Sequence, residues 1–143
     1  MAGLQWIDWY GDGRVIVVDV GLACCTLEFE SAAAARGRPT TAQPPALSAD
    51  SQVVVVVSGT VTDRLAPAVA AVVDAASDLT GTRPYVISFG ACASSGGPYW
   101  DSYAVTKGID QLVDVDLYLP GCPPPPEALQ AVLDRLSTAG SAR

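Results

Sequence analysis

The chain has 143 residues, half of them hydrophobic, which suits one domain with a sizeable core. Its 15 acidic residues against 8 basic ones give a formal net charge of −7, which excludes a nucleic-acid interface built on clustered basic residues. Histidine is absent and Lys107 is the single lysine, so histidine-based catalysis and histidine-ligated metal sites are also excluded. Only 16% of the residues are charged, so we expect a partner to cover part of the surface.

The first ten residues contain Asp8 and no basic residue, so they do not resemble a secretory signal. No unbroken apolar run approaches the roughly 18 residues that a membrane-spanning helix needs. We therefore expect a cytosolic chain, or one that reaches a membrane through a partner. An apolar patch near the N-terminus has two interpretations, a cap on the core or a docking surface for a neighbouring subunit. It consists of Leu4, Trp6, Trp9 and Tyr10.

Hydrophobic patterning predicts four strands, each rich in β-branched or other apolar residues. They are Arg14–Val20, Val53–Val57, Tyr85–Ser88 and Val113–Leu119. The five consecutive valines of the second strand are typical of a strand that is buried on both faces.

Helical spacing of apolar residues places a helix after the second strand, ending at Gly81, and a final helix after the fourth. The first has its apolar positions at Leu65, Val69, Val72, Val73 and Ala76, and the second at Leu129, Val132, Leu133 and Leu136. A short helix is expected at Asp101–Gly108, and the Ala- and Pro-rich residues 31–50 are expected to form an internal loop. Strands alternating with helices predict a single α/β domain over 1–143, with a mainly parallel open sheet.

The four cysteines all follow predicted strands. Cys24 and Cys25 follow the first strand, Cys92 follows the third, and Cys122 follows the fourth. Because the carboxyl ends of parallel strands meet at one edge of a sheet, we expect the four thiols to come together there. Disulfides are disfavoured in the reducing cytosol, so a metal or catalytic role gains weight.

Four thiols at one edge have three interpretations: a zinc ion, an iron–sulfur cluster, or buried free thiols. Structural zinc usually takes local C-x₂₋₄-C pairs, which this chain lacks. The adjacent side chains of Cys24 and Cys25 tend to point apart, which suits separate irons of a cluster better than one ion. Glycines crowd the same loops and let backbone amides approach cluster sulfurs, so the pattern favours one [4Fe–4S] cluster.

Four segments carry a recognisable pattern: GLACCTLEFE at 21–30, SGTVTDRLAP at 58–67, SFGACASSGGPYWDSYAVTKGID at 88–110 and VDLYLPGCPPPPEAL at 115–129. They closely resemble the B subunit (20 kDa subunit) family of NADH-quinone oxidoreductase, respiratory complex I. The small subunits of NiFe hydrogenases are related but have C-x-x-C in place of the adjacent pair. The Cys-Cys pair favours the quinone-reducing branch, and a small electron-transfer subunit of a membrane-associated NiFe hydrogenase-like complex is the alternative.

The resemblance implies one [4Fe–4S] cluster held by Cys24, Cys25, Cys92 and Cys122. It implies an electron-transfer subunit of a proton-translocating NADH-quinone oxidoreductase that passes electrons towards quinone. The implied partners are a large catalytic-type subunit and membrane subunits, with quinone near the interface. The implied location is the cytoplasmic side of the cell membrane, and the implied fold is a flavodoxin-like sheet with helices on both faces.

Glu28 matches the glutamate of the family's Cys-Cys-x-x-Glu motif, which implies a carboxylate near the cluster with a proton affinity coupled to its redox state. Asp101 and Tyr103 match family-like positions, and we expect them to be structural. Two features depart from the family pattern: Pro125 replaces the usual arginine, and residues 31–50 replace a longer basic stretch. Both departures fall on surfaces that, by the resemblance, face the quinone and membrane subunits.

Overall fold

The computed structural model describes residues 3–141. Within these residues the chain forms five strands and four α-helices. In chain order they are β1 (Gly3–Asp8), β2 (Val15–Gly21), α1 (Cys25–Ala35), β3 (Gln52–Ser58), α2 (Ala66–Thr80), β4 (Tyr85–Phe89), α3 (Ala91–Ser95), β5 (Leu117–Leu119) and α4 (Pro126–Ser141). Single turns of 3₁₀ helix lie at Gly97–Tyr99 and Ile109–Gln111.

Runs of β-branched residues build the centre of the sheet. The valines of Val53–Val57 lie in β3, the middle strand of five, and all of them are buried. The strands lie in chain order across the sheet; β2 to β5 are parallel, and β1 pairs antiparallel with β2 at the edge. The predicted α/β class with a mainly parallel sheet is confirmed, whereas the patterning does not predict β1.

Side chains that alternate along the strands divide the core into two layers. One layer packs Val17 of β2 with Phe29 of α1 and Leu133 of α4. The other layer contains Val18 of β2 and Val69 of α2. Helices therefore cover both faces of the sheet, as the sequence resemblance implies.

The N-terminal aromatic residues belong to the core. Trp6 and Trp9 are buried, and the ring centroid of Trp9 lies 6.0 Å from that of Phe29. The indole Nε1 of Trp9 donates a hydrogen bond to Oε1 of Gln130 in α4 at 3.1 Å. Docking on a neighbouring subunit is therefore wrong for these two tryptophans; Leu4 of the same patch stays exposed.

Polar contacts join the residues just after β1 to the end of α1 and to α4. The hydroxyl of Tyr10 donates to Oδ1 of Asp134 at 2.5 Å, and the guanidinium of Arg36 lies 4.7 Å from the centroid of the Tyr10 ring. Arg36 Nε also donates to the carbonyl oxygen of Trp9 at 3.2 Å. Burial and the bond to Asp134 raise the pKa of Tyr10, which keeps its phenol protonated as a donor.

The predicted loop at 31–50 begins too early. Residues 31–35 continue α1, because a run of alanines favours helix. The remainder, 36–50, carries no helix or strand element and touches the sheet through an isolated antiparallel bridge between Thr41 and Trp6.

The predicted short helix at Asp101–Gly108 is wrong. This segment instead donates and accepts backbone hydrogen bonds with the chain that follows β3. Asp63 N donates to the carbonyl oxygen of Ala104 at 2.8 Å, and Thr106 N donates to that of Val61 at 2.9 Å. These hydrogen bonds hold the chain extended only around Val105, and turns precede it at 101–104, so no helix forms.

The predicted strand Val113–Leu119 is shortened to Leu117–Leu119. Asp116 diverts the chain just before it, because its carboxylate accepts hydrogen bonds from the guanidinium of Arg83 and from the backbone N–H of Val86. The Asp116 carboxylate thus accepts the backbone N–H of Val86 on β4, which would otherwise be free to pair with a longer β5.

Replacing Trp9 with alanine is expected to lower the free energy of unfolding by about 3–5 kcal/mol, because it empties a large core site and removes the hydrogen bond to Gln130. Chemical unfolding of parent and variant under the same conditions measures the difference. The control is Leu79→Ala on the exposed side of α2, for which we expect a change within about 0.5 kcal/mol. Equal losses in the two variants would contradict the assignment of Trp9 to the core.

Candidate functional site

The ends of the four parallel strands form one row. The strand register pairs Gly21 with Ser58, Ser58 with Phe89, and Phe89 with Leu119. Three of these four strand ends are followed, three residues later, by a cysteine of the predicted site. The sheet therefore delivers all three cysteine-bearing loops to the same edge, as the sequence predicts.

Backbone hydrogen bonds tie one of these loops to the end of β3 and join the other two to each other. In the loop of the adjacent cysteines, Leu22 N and Ala23 N donate to the carbonyl oxygen of Ser58 at 2.9 and 3.3 Å. Between the other two loops, Ala91 N donates to the carbonyl oxygen of Gly121 at 2.8 Å. The three loops are thereby held at fixed positions relative to the strands.

Cys25 is close enough to each of the other three thiols to be influenced by them. It is buried in the first turn of α1, and Cys92 is buried in α3, whereas Cys24 and Cys122 are exposed. Burial is the main cause that raises the pKa of the Cys25 thiol to about 12. The remaining causes are the neighbouring thiols of Cys24, Cys92 and Cys122. The structure thus brings all four predicted ligands into one neighbourhood.

Gly90 allows the sulfur of Cys25 to approach the loop of Cys92. Its φ of +100° lies in the region that favours glycine, and a Cβ at this position would fall 2.5 Å from Cys25 Sγ. Any other residue would displace the thiol. The peptide bond between Cys122 and Pro123, on the third loop, is cis.

The donor set fits an iron–sulfur cluster in its chemistry: four thiols on three loops, with backbone brought close to the sulfur of Cys25 by Gly90. Among residues 3–141, no three His, Cys, Asp or Glu side chains lie close enough together to hold a single metal ion.

Three further residues singled out in the sequence lie around the site. Glu28 is half-buried in the first turn of α1, and its proposed coupling to a cluster stays a prediction. Asp101 and Tyr103 are exposed, beyond the 3₁₀ turn that follows α3.

An exposed aromatic surface follows the loop of Cys92. It is formed by Tyr99, Trp100 and Tyr103, whose exposed fractions are 54%, 62% and 102%. A Cβ on Gly96 would lie 3.0 Å from the Cα of Trp100, so this segment folds back against the end of α3. Large apolar side chains exposed together are typical of interfaces.

A buried acid that the sequence patterns did not indicate lies beneath the site. Asp19 of β2 has no exposed surface; Ser58 Oγ donates to its Oδ1 at 2.5 Å, and its Oδ2 has no hydrogen-bond partner within the described part of the chain. Burial raises the pKa of Asp19 to about 8, opposed by the bond from Ser58 and assisted by the charge of Glu30. The signal in the sequence is an acid inside an otherwise apolar strand, VIVVDVG.

Comparison with known proteins identifies the family. Residues 18–136 match the family described as NADH ubiquinone oxidoreductase, 20 Kd subunit. The chain belongs to this 20 kDa subunit family. The match runs from the middle of β2 into α4 and includes the four cysteines, and it confirms the resemblance seen in the sequence motifs.

Two bacterial relatives in the 20 kDa family are each 48% identical over an alignment of 129 positions that covers 86% of this chain. Both are B subunits of NADH-quinone oxidoreductase, one from Salinispora tropica and the other from Streptomyces griseus subsp. griseus. The chain spans 64% of the length of the first and 52% of the length of the second.

A solved structure of the membrane-bound sulfane sulfur reductase (MBS), an archaeal respiratory membrane complex, contains a similar chain. The TM-score is 0.52 with 27% sequence identity, and the match covers 68% of this chain and 52% of that one. It agrees with the α/β fold of the 20 kDa subunit family. Among the helices of residues 3–141, none has the length and apolar character required to cross a membrane.

Asp19→Asn is expected to raise the free energy of unfolding relative to the parent at about pH 8 and above. In the parent, the pKa of Asp19 is about 8 when folded and about 3.9 when unfolded. Stability that is fully present below about pH 4 is therefore lost as the pH rises through 8, by up to about 1.4 kcal/mol per pH unit. Asparagine does not ionise, so the variant escapes this loss.

Urea unfolding at about pH 5 and about pH 9 measures the difference between variant and parent. The matched control is Asp78→Asn, which removes an exposed carboxylate on α2 and for which we expect a change within about 0.5 kcal/mol. A gain from Asp19→Asn that is the same at both pH values would contradict a raised pKa.

Proposed function

We propose that this chain is an electron-transfer subunit of an NADH-quinone oxidoreductase and that it holds one [4Fe–4S] cluster. The proposed ligands are Cys24, Cys25, Cys92 and Cys122. The observation that carries the proposal is the grouping of all four thiols of a 20 kDa family member at one sheet edge, around buried Cys25. The names of the bacterial relatives support the assignment to such an oxidoreductase.

A bound [4Fe–4S] cluster supplies one-electron chemistry, and the work of the chain is to hold, insulate and tune it. The thiolates bind the irons, so proton loss from the cysteines accompanies assembly. Burial of Cys25 and Cys92 keeps water from one side of the site. Gly90 holds backbone against the sulfur of Cys25, where a larger residue would displace it.

Quinone is the proposed electron acceptor, reached at the interface with a large catalytic-type subunit. Exposed Cys24 and Cys122 and the exposed aromatic surface support an interface on the side of the cluster loops. Membrane subunits would then bring the complex to the cytoplasmic side of the membrane, with proton translocation assigned to the whole complex. Glu28 is the proposed proton-coupled carboxylate from the family motif.

Replacing each cysteine of the set with serine in turn is expected to remove most of the bound iron and acid-labile sulfide, because serine is a poor ligand for these irons. Iron and sulfide assays after anaerobic purification measure the loss. The matched control is Ser95→Ala, an exposed residue in the same short helix as Cys92, which should keep full iron content. Full iron content in all four serine variants would exclude the cluster assignment.

Trp100→Ala is expected to weaken association with the partner subunits about tenfold or more, because exposed tryptophans often dominate binding energy at interfaces. Recovery of partner subunits with the tagged chain at graded salt measures the effect. Leu79→Ala, an exposed apolar residue on α2 far from the cluster loops in sequence, is the control and should leave recovery unchanged. Unchanged recovery with Trp100→Ala would remove the aromatic surface from the proposed interface.

A further inference from the structure

Ser58 links the buried acid Asp19 to the loop of the adjacent cysteines. Its backbone carbonyl oxygen accepts hydrogen bonds from Leu22 N, from Ala23 N and, at 3.3 Å, from the hydroxyl of Thr26. Its own hydroxyl donates to Oδ1 of Asp19 at 2.5 Å. One residue therefore anchors both the acid and the start of the cysteine loop.

The unpartnered oxygen of Asp19 lies close to the first turn of α1. A Cβ built on Gly21 would be 3.0 Å from Asp19 Oδ2 and 2.8 Å from Thr26 Oγ1, so both oxygens lie over the same glycine. Thr26 directly follows Cys25 in the chain. The carboxyl is thus buried next to the turn that carries a proposed cluster ligand, where low polarity strengthens the effect of any nearby charge.

Glu30 is a half-buried carboxylate close enough to this acid to act on its charge. Gln5 of β1 is the register partner of Asp19 on β2, and its amide Nε2 donates to Oε1 of half-buried Glu30 at 3.0 Å. Cross-strand partners have Cβ atoms roughly 4.5–5.5 Å apart. Gln5 therefore lies between the buried carboxyl and a carboxylate that water reaches.

Among the described residues, Glu30 is the charged group that acts on Asp19, while Ser58 acts on it through its hydrogen bond. β1 faces the acid with Gln5, which does not titrate. The helices on this face also carry the titratable groups Cys25 and Glu28 on α1, and Glu127, Asp134 and Arg135 on α4. Asp134 is already bonded to Tyr10 and Gln130.

We propose that Asp19 is a redox-coupled proton site: its carboxylate binds a proton when the cluster beside Cys25 gains an electron, and it releases the proton when the electron leaves. This inference rests on the proposed function, because the cluster carries the electron. The added negative charge disfavours the ionised carboxylate, which is the physical reason for proton uptake.

The step balances as one electron and one proton. A one-electron donor, dithionite in the test, supplies the electron, and the Asp19 carboxylate takes one proton from solvent to become the carboxylic acid. Oxidation removes the electron and returns the O–H proton to solvent. Burial raises the pKa of Asp19 to about 8, and the negative charge of the thiolate ligands raises it further, so we expect the potential to fall with rising pH only above about pH 8. With one proton bound per electron, the limiting slope is about 59 mV per pH unit, because one pH unit is a tenfold step in proton concentration.

The test is a redox titration of the purified complex followed by EPR, from about pH 6 to about pH 10, with iron and sulfide assayed in every sample. Asp19→Asn should keep the cluster and flatten the slope. The exposed control Asp78→Asn should keep the parent slope, and Glu28→Gln is titrated beside it to separate the carboxylate of the family motif from Asp19. Reduced-minus-oxidised infrared difference spectra should show a carboxylic acid C=O band in the parent that Asp19→Asn lacks.

Two conservative variants keep the acid and move the pH window in opposite directions. Ser58→Ala removes the hydrogen bond that lowers the pKa of Asp19, so the window should shift to higher pH. Glu30→Gln removes the charge that raises it, so the window should shift to lower pH. These shifts test the role of Asp19 as the proton site even if the cluster does not assemble in Asp19→Asn.

A parent slope retained in Asp19→Asn with an intact cluster, or pH windows unmoved in Ser58→Ala and Glu30→Gln, would overturn the inference. A slope lost only in Glu28→Gln would assign the proton to Glu28 instead. Absence of iron and sulfide from the parent complex would refute the proposed function itself, which is a separate result.

Discussion

The parallel register of β2, β3, β4 and β5 is the constraint on which the site depends. It aligns Gly21, Ser58, Phe89 and Leu119 in one row, and three of the loops that start there carry the cysteines. These strands are buried on both faces, and helices packed against each face hold them in place. The position of four thiols, far apart in sequence, is therefore set by the packing of an apolar sheet.

The underside of the site differs chemically from the rest of the core. The strands are almost wholly apolar, yet Asp19 and Ser58 place a polar pair under the loop of the adjacent cysteines. Burial of such an acid destabilises its ionised form, and an apolar residue of similar size would avoid that penalty. Groups with this combination of burial and perturbed pKa cluster at functional sites in proteins.

Strong and repetitive patterns were predictable from the sequence. Val53–Val57 identified a central strand, and cysteines placed after strands indicated a shared edge. Tertiary contacts decided what the sequence did not show. β1 pairs with β2, and the buried Trp6 and Trp9 pack in the core beside it. Asp101–Gly108 forms turns around an isolated bridge to the chain after β3 and not a helix. Asp19 was overlooked because a single acid hardly alters the hydropathy of an apolar strand.

The two edges of the sheet have a consequence for assembly. Trp6 and Thr41 exchange backbone hydrogen bonds at 2.8 Å, so residues 36–50 occupy part of the outer side of β1, and the opposite edge strand, β5, has only three residues. Short or covered edges give little template for β-augmentation by another chain. Within the described structure, the sheet edges thus offer a partner few backbone groups for strand pairing, and the loops and helices offer it side chains. Recognition of this protein would then depend on shape and side-chain chemistry more than on continuous backbone pairing.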